Sequence, residues 1–121
     1  MGKVVHNDVL DAALNEIATA TEMYLCTSEP ASRAAADTAS VIPAHTLTGG
    51  DFTNADGDTN GRKVTVAAQN SLTADASGTV DHVAISDATT LLYVTTCTSQ
   101  SVTSGNTVNI GAWDVEIADP T

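Results

Sequence analysis

The spacing of apolar residues changes from a helical to a strand period about a sixth of the way along the chain. Val9, Leu10, Ala13, Leu14 and Ile17 recur at helical spacing, with Asp11 and Glu16 off the stripe. This predicts a half-buried helix over about 7–20, capped by Asn7 or Asp8 and ending where β-branched residues begin near Thr19 to Thr21. Such a helix covers one end of its own sheet more readily than it docks on a neighbouring subunit. Met23 to Thr27 reads as a short first strand, which Ser28-Glu29-Pro30 breaks. The Ala-rich stretch 31–40 predicts one or two helical turns, weakly held for want of large apolar anchors. Val41-Ile42-Pro43 and Thr46-Leu47-Thr48 read as extended segments at a sheet edge, since Pro43 cannot donate to a ladder. Gly49-Gly50 marks a turn, and 51–61 reads as a long polar loop of Asp, Asn and Gly.

Strand periodicity dominates from there. In 62–68, Val64 and Val66 alternate with Lys63 and Thr65. Residues 70–78 read as a turn-rich connection with Leu72 tucked inward. The strand 79–85 places Val83 and Ile85 inward and His82 and Ala84 opposite, and Leu91 to Thr98 follows after a tight connection at Asp87-Ala88. Ser99 to Ser104 is polar, and Gly105-Asn106 turns the chain into its last strand, 106–117. There Val108 and Ile110 hold one phase of the alternation, and Trp113, Val115 and Ile117 hold the other. A bulge at Gly111-Ala112 puts all five on one inward face. A strand buried on both sides is the alternative. The pattern as a whole predicts one mainly β domain over 1–121, β-rich from 22 to 118. Its architecture is a compact antiparallel sandwich or small barrel with one N-terminal helix.

Composition narrows the functional classes. The 121 residues carry 15 acidic and 4 basic side chains, a net charge of −11. Sequence-independent nucleic-acid binding rests on many Lys and Arg contacts, so DNA and RNA are poor partners, and an anionic membrane is disfavoured for the same reason. No apolar run is long enough to span a bilayer, and no basic start followed by an apolar block signals secretion. Acidity suits either a basic partner or a cation, but solubility explains it at least as well. Aromatic residues make up only 3 % of the chain, so Val, Ile, Leu, Ala and Thr must fill the core.

Candidate chemistry is sparse. Asp56, Asp58 and Asn60, with Gly61 following, match the opening of a calcium loop; the match fails at the twelfth position, where Ala67 replaces the bidentate Glu. No cofactor is expected. His6, His45 and His82 lack metal-ligand spacing, and Asp81, Asp114 and Glu116 read as alternating solvent-facing acids rather than a glycosidic pair. An enzyme is not expected. Cys26 and Cys97 read as buried free thiols, with a single disulfide open if their strands are neighbours. Trp113 suits either the main plug of an aromatic-poor core or an interface anchor.

Several segments together carry a resemblance. They are Asp56-Gly-Asp-Thr-Asn-Gly-Arg-Lys-Val-Thr-Val66, Gly78-Thr-Val-Asp-His-Val-Ala84, Ser101-Val-Thr-Ser-Gly-Asn-Thr-Val108 and Ala112-Trp-Asp-Val-Glu-Ile-Ala-Asp-Pro120. With Asn7-Asp-Val-Leu-Asp-Ala-Ala-Leu14 and Cys26-Thr-Ser-Glu-Pro30, the combination resembles small virion structural proteins of tailed bacteriophages. Within that group the resemblance most suggests a capsid decoration (cement) protein on the outer head surface. It implies the major capsid protein as partner and, by analogy, a homotrimer. Residues 1–6 and 118–121 are then candidate arms toward a neighbouring subunit. Arg62 and Lys63, able to pair with an acidic capsid patch, are interface candidates with Asp51, Asp56 and Asp58 of the 51–61 loop; two solvated strand-end charges are the plain alternative for the bases. The rival function is a tail-fibre or head-surface adhesin domain using that loop to bind a receptor or glycan.

Overall fold

The computed structural model describes residues 2–120. Among them the chain forms two α-helices and nine strands, all paired antiparallel. Helix α1 spans Asn7–Ile17 and α2 spans Arg33–Ala39; the strands are β1 (Glu22–Cys26), β2 (Ser40–Thr46), β3 (Phe52–Asp56), β4 (Arg62–Val66), β5 (Gln69–Thr73), β6 (Gly78–Ser86), β7 (Leu91–Val102), β8 (Thr107–Ile110) and β9 (Trp113–Ile117). The expected mainly β fold with an N-terminal helix is observed. One layer is the sheet β2-β1-β6-β7, and facing it lie the smaller sheets β3-β4-β9 and β5-β8. Met23, Leu25, Val83 and Ile85 from the first layer pack against Val66, Leu72 and Val108 from the second. The outer face of the first layer is also buried, because α2 seats Ala36 on Tyr24, Cys26 and Ala84.

Helix α1 plugs one end between the layers, where Leu14 meets Val64 and Val115. The predicted apolar stripe narrows to Leu10, Leu14 and Ile17, since Val9 is 60 % exposed and Ala13 is exposed too. The cap is His6, whose Nδ1 accepts from Asp8 N–H at 3.1 Å, rather than Asn7 or Asp8. Helix geometry ends at Ile17, just before the Thr residues expected to stop it.

Two regions read as loops are strands. Residues 52–56, inside the expected 51–61 loop, pair residue for residue with β4, from Phe52↔Val66 to Asp56↔Arg62. The true connection is therefore only 57–61. Likewise β5 occupies the first half of the expected 70–78 connection, starting one residue before it, with Leu72 buried as anticipated. Both strands are short and polar on one face, so their ladder partner, not their own pattern, makes them strands.

The long last strand is in fact two. β8 pairs with β5 and β9 with β4, and the chain leaves one small sheet for the other at Gly111-Ala112. The partner strands break beside it, at Ala67-Ala68, with the register unchanged across the gap: Val66↔Trp113 on one side and Gln69↔Ile110 on the other. The two strands thus turn a corner together and swap inward faces together. This explains why Val108 and Val115, of opposite phase, are both buried. The expected bulge at Gly111-Ala112 is absent, and the irregularity sits across the ribbon between Gln69 and Leu72. There Ser71 has φ 60° and its N–H donates to Asn109 Oδ1 at 2.8 Å.

Candidate interface surfaces

The residues singled out from the sequence converge on the end of the β3-β4-β9 sheet, where they neutralise one another. Arg62 shares the phase of Val64 and Val66, so its stem runs toward the side that α1 occupies. Its Nε donates to Asp11 Oδ1 at 2.8 Å and a terminal nitrogen to Asp56 Oδ1 at 2.6 Å. Lys63, on the opposite face, reaches Asp58 at 2.7 Å and Asp114 at 3.3 Å. The two basic side chains are only 17 % and 19 % exposed. Both are ion-paired within the chain, so they are not the solvated strand-end charges of the plain alternative. Hydrogen bonds donated to Asp11 and to Asp58 hold the Arg62 and Lys63 pKa values, respectively, above their ordinary ranges, while Asp114 is held low first by the Thr65 hydroxyl and then by Lys63.

The partial calcium motif is drawn into the same lattice. Asp56 faces Arg62, Asp58 faces Lys63, and Asn60 Oδ1 accepts from Asp119 N–H at 3.0 Å. Glu116 Oε1 in turn accepts from Asp58 N–H at 3.0 Å. Two glycines permit this closure. A Cβ on Gly57 would collide with the Asn60 carbonyl, and Gly61, at φ 73°, would collide with the Ile117 carbonyl. The segment expected as a C-terminal arm is thereby tied down through Asp119, while Thr121 lies outside the described residues. Asp51 is occupied as well, accepting from Thr48 N–H at 2.8 Å and Gln69 Nε2 at 3.1 Å. The Thr48 N–H is the first cause of its lowered pKa, with Gln69 adding to it.

The histidines and acids weighed as catalysts stay apart. His6 caps α1, His45 Nε2 lies 3.0 Å from Gln69 Oε1, and His82 Nδ1 lies 2.6 Å from Asp81. Asp81 sits in the large sheet, whereas Asp114 and Glu116 sit in the small one. Among the described residues no three His, Cys, Asp or Glu side chains cluster as a metal site. Cys26 is buried and its thiol is pushed up to about 11 by desolvation, with Asp81 adding to it. Cys97 is exposed rather than buried, and the two thiols are unpaired because β6 lies between their strands.

The sequence reading missed the other side of the molecule. β7 is twelve residues long, four beyond the expected strand end, and forms an edge of the large sheet. Between it and the corner at Gly111-Ala112 an open, largely apolar cleft runs down to Val83, with Cys97, Val102, Ile110 and Trp113 along its walls. Tyr93 and Trp113 close its inner end by stacking with ring centres 6.0 Å apart. Trp113 thus plugs the core beside the cleft, and its buried indole N–H has no acceptor. One signal was available beforehand: from Leu91 to Val102 no residue is charged, in a chain that is 16 % charged. No protein-family model, curated protein or solved structure matches this chain.

Proposed function

We propose that this chain is a structural component of a tailed-phage particle, a decoration protein that binds the outer surface of the head and stabilises it through protein–protein contact. The carrying observation is the disposition of charge. Three of the four bases, Arg33, Arg62 and Lys63, are paired within the chain, so the outside is acidic almost without interruption. Such a surface repels packaged nucleic acid and suits contact with other proteins. The resemblance of the segments quoted above supplies the virion setting, the major capsid protein as partner and, by analogy, a trimeric assembly. The test is copy number in purified particles. Hundreds of copies per head, with density on the outer capsid surface, are expected; a few copies confined to the tail would sink this reading.

That second outcome belongs to the adhesin alternative, for which one feature speaks. A polar cleft between β2 and β5 is lined by Pro43, His45, Asn70, Ser71, Thr73 and Asp75, groups able to hydrogen-bond a sugar. It joins the 51–61 segment as a surface on which that alternative would rest; in that segment Asp56 and Asp58 pair with Arg62 and Lys63 yet stay 86 % and 71 % exposed.

A further inference from the structure

Four strands form the outer edges of the two larger sheets, and three of them are guarded. β2 carries Pro43 and a left-handed Ala44 at φ 50°; β3 ends in Asp56; β9 bears Asp114 and Glu116. Charges, proline and irregular backbone are the usual means by which an edge refuses a further strand. β7 has no charge and no proline; its ladder with β6 shifts register twice, opposite Asp81 and again beside Leu92, and Tyr93–Thr96 between them is a regular free edge. Beside that edge lies the apolar cleft, with Asp114, 35 % exposed, at its rim.

The same chain carries a segment of matching character. Residues 2–6, Gly-Lys-Val-Val-His, precede α1 without secondary structure, and Val4 is 94 % exposed. Lys3 is the one base of the four with no ion-pair partner among the described residues. An extended, apolar and basic segment complements an apolar cleft with an acidic rim. The four residues Lys3 to His6 match the four-residue regular span Tyr93–Thr96 at about 3.3 Å per residue.

We propose that segment 2–6 of one copy adds as a strand to β7 of a second copy, placing Val4 or Val5 against the cleft and Lys3 near its acidic rim. Backbone hydrogen bonds along β7 supply the attachment, and the apolar cleft supplies the register. Because donor segment and acceptor edge are different surfaces, the contact is heterologous, and a ring closes when the rotation between copies allows it. The proposal stands apart from the virion reading, since it concerns only the isolated protein.

Cys97, exposed on the cleft wall, makes it testable in the full chain. Cysteines are introduced singly as K3C, V4C and V5C and the proteins mildly oxidised; Cys26 is buried and stays silent. At least one variant is expected to form covalent multimers through Cys97, lost on adding C97S. Sedimentation of the unmodified chain is expected to show a mass above the monomer, and deletion of residues 2–5 to weaken self-association by about tenfold or more. Any of four results overturns the proposal: a monomeric unmodified chain, a crosslink confined within the monomer, Cys97–Cys97 dimers forming as fast without the new cysteine, or a mass indifferent to the deletion.

Discussion

The two sides of this sandwich treat their strand ends in opposite ways. At the β3-β4 turn and β9, every basic group is matched by acids, the connection is five residues long, and the following chain is fastened to it through Asn60 and Asp119. At β7 a twelve-residue edge is left uncharged beside an apolar cleft, with a lone thiol at its mouth. Charge is concentrated where the fold is sealed and absent along the open β7 edge itself. A network of ion pairs holds a shape; an edge with no charges leaves its backbone groups available for pairing. The region richest in recognisable side chains is therefore the one whose bases are already paired within the chain.

The comparison can be pressed from its sealed side first. Leu14, fully buried, joins α1 to Val64 and Val115, so Leu14→Ala is expected to lower unfolding stability by roughly 2–5 kcal/mol in denaturant melts. A loss under about 1 kcal/mol would mean the plug collapses readily onto the cavity. Gly61→Ala comes next. Its left-handed backbone and the Ile117 carbonyl both oppose a side chain, and a loss exceeding about 1 kcal/mol is expected.

Arg62→Gln should cost less than either and should betray its origin by salt. The gap in melting temperature from the parent is expected to narrow as sodium chloride rises to about 1 M, since screening weakens the pairs with Asp11 and Asp56. A gap independent of salt would assign the effect to packing of the arginine stem.

Acid should act on the same side with a definite sign. Asp114 and Asp51 titrate below their ordinary values, so as pH falls below about 4 the unfolded chain takes up protons before the folded one does. Their stabilisation is present above that range and drains away as pH descends through the folded values. Relief of the −11 self-repulsion works the other way between neutrality and about pH 4. The melting temperature is thus expected to hold or rise toward about pH 4.5 and then to fall by pH 2.5; a continued rise at pH 2.5 would show that those two carboxylates contribute nothing.

The open side should show the smallest effect on stability. Thr98→Lys on the exposed end of β7 is expected to change monomer stability by no more than about 0.5 kcal/mol, because it touches no core contact. A larger loss would mean that the edge is part of the fold's own stability rather than a surface held in reserve.

Elements whose reason for existing is local were legible in the chain. The spacing of Leu10, Leu14 and Ile17 makes α1 amphipathic wherever it lies, and the alternation of Val64 with Val66 and of Val83 with Ile85 sets which face of β4 and β6 turns inward. The acidic character of the surface is likewise a matter of counting. Pairing was not legible, because a strand such as Phe52–Asp56 exists only through the ladder it makes with β4, and its own residues are those of a loop. The corner at Gly111-Ala112 is of the same kind: one strand's phase change has several local explanations, and only the matching break at Ala67-Ala68 selects among them. Arg62 and Lys63 look alike as neighbours in sequence, yet a one-residue step sends them to opposite faces and to different acids. Which charges cancel, which edge stays open and which thiol meets solvent depend on groups brought together across the chain, and those are properties of tertiary contact alone.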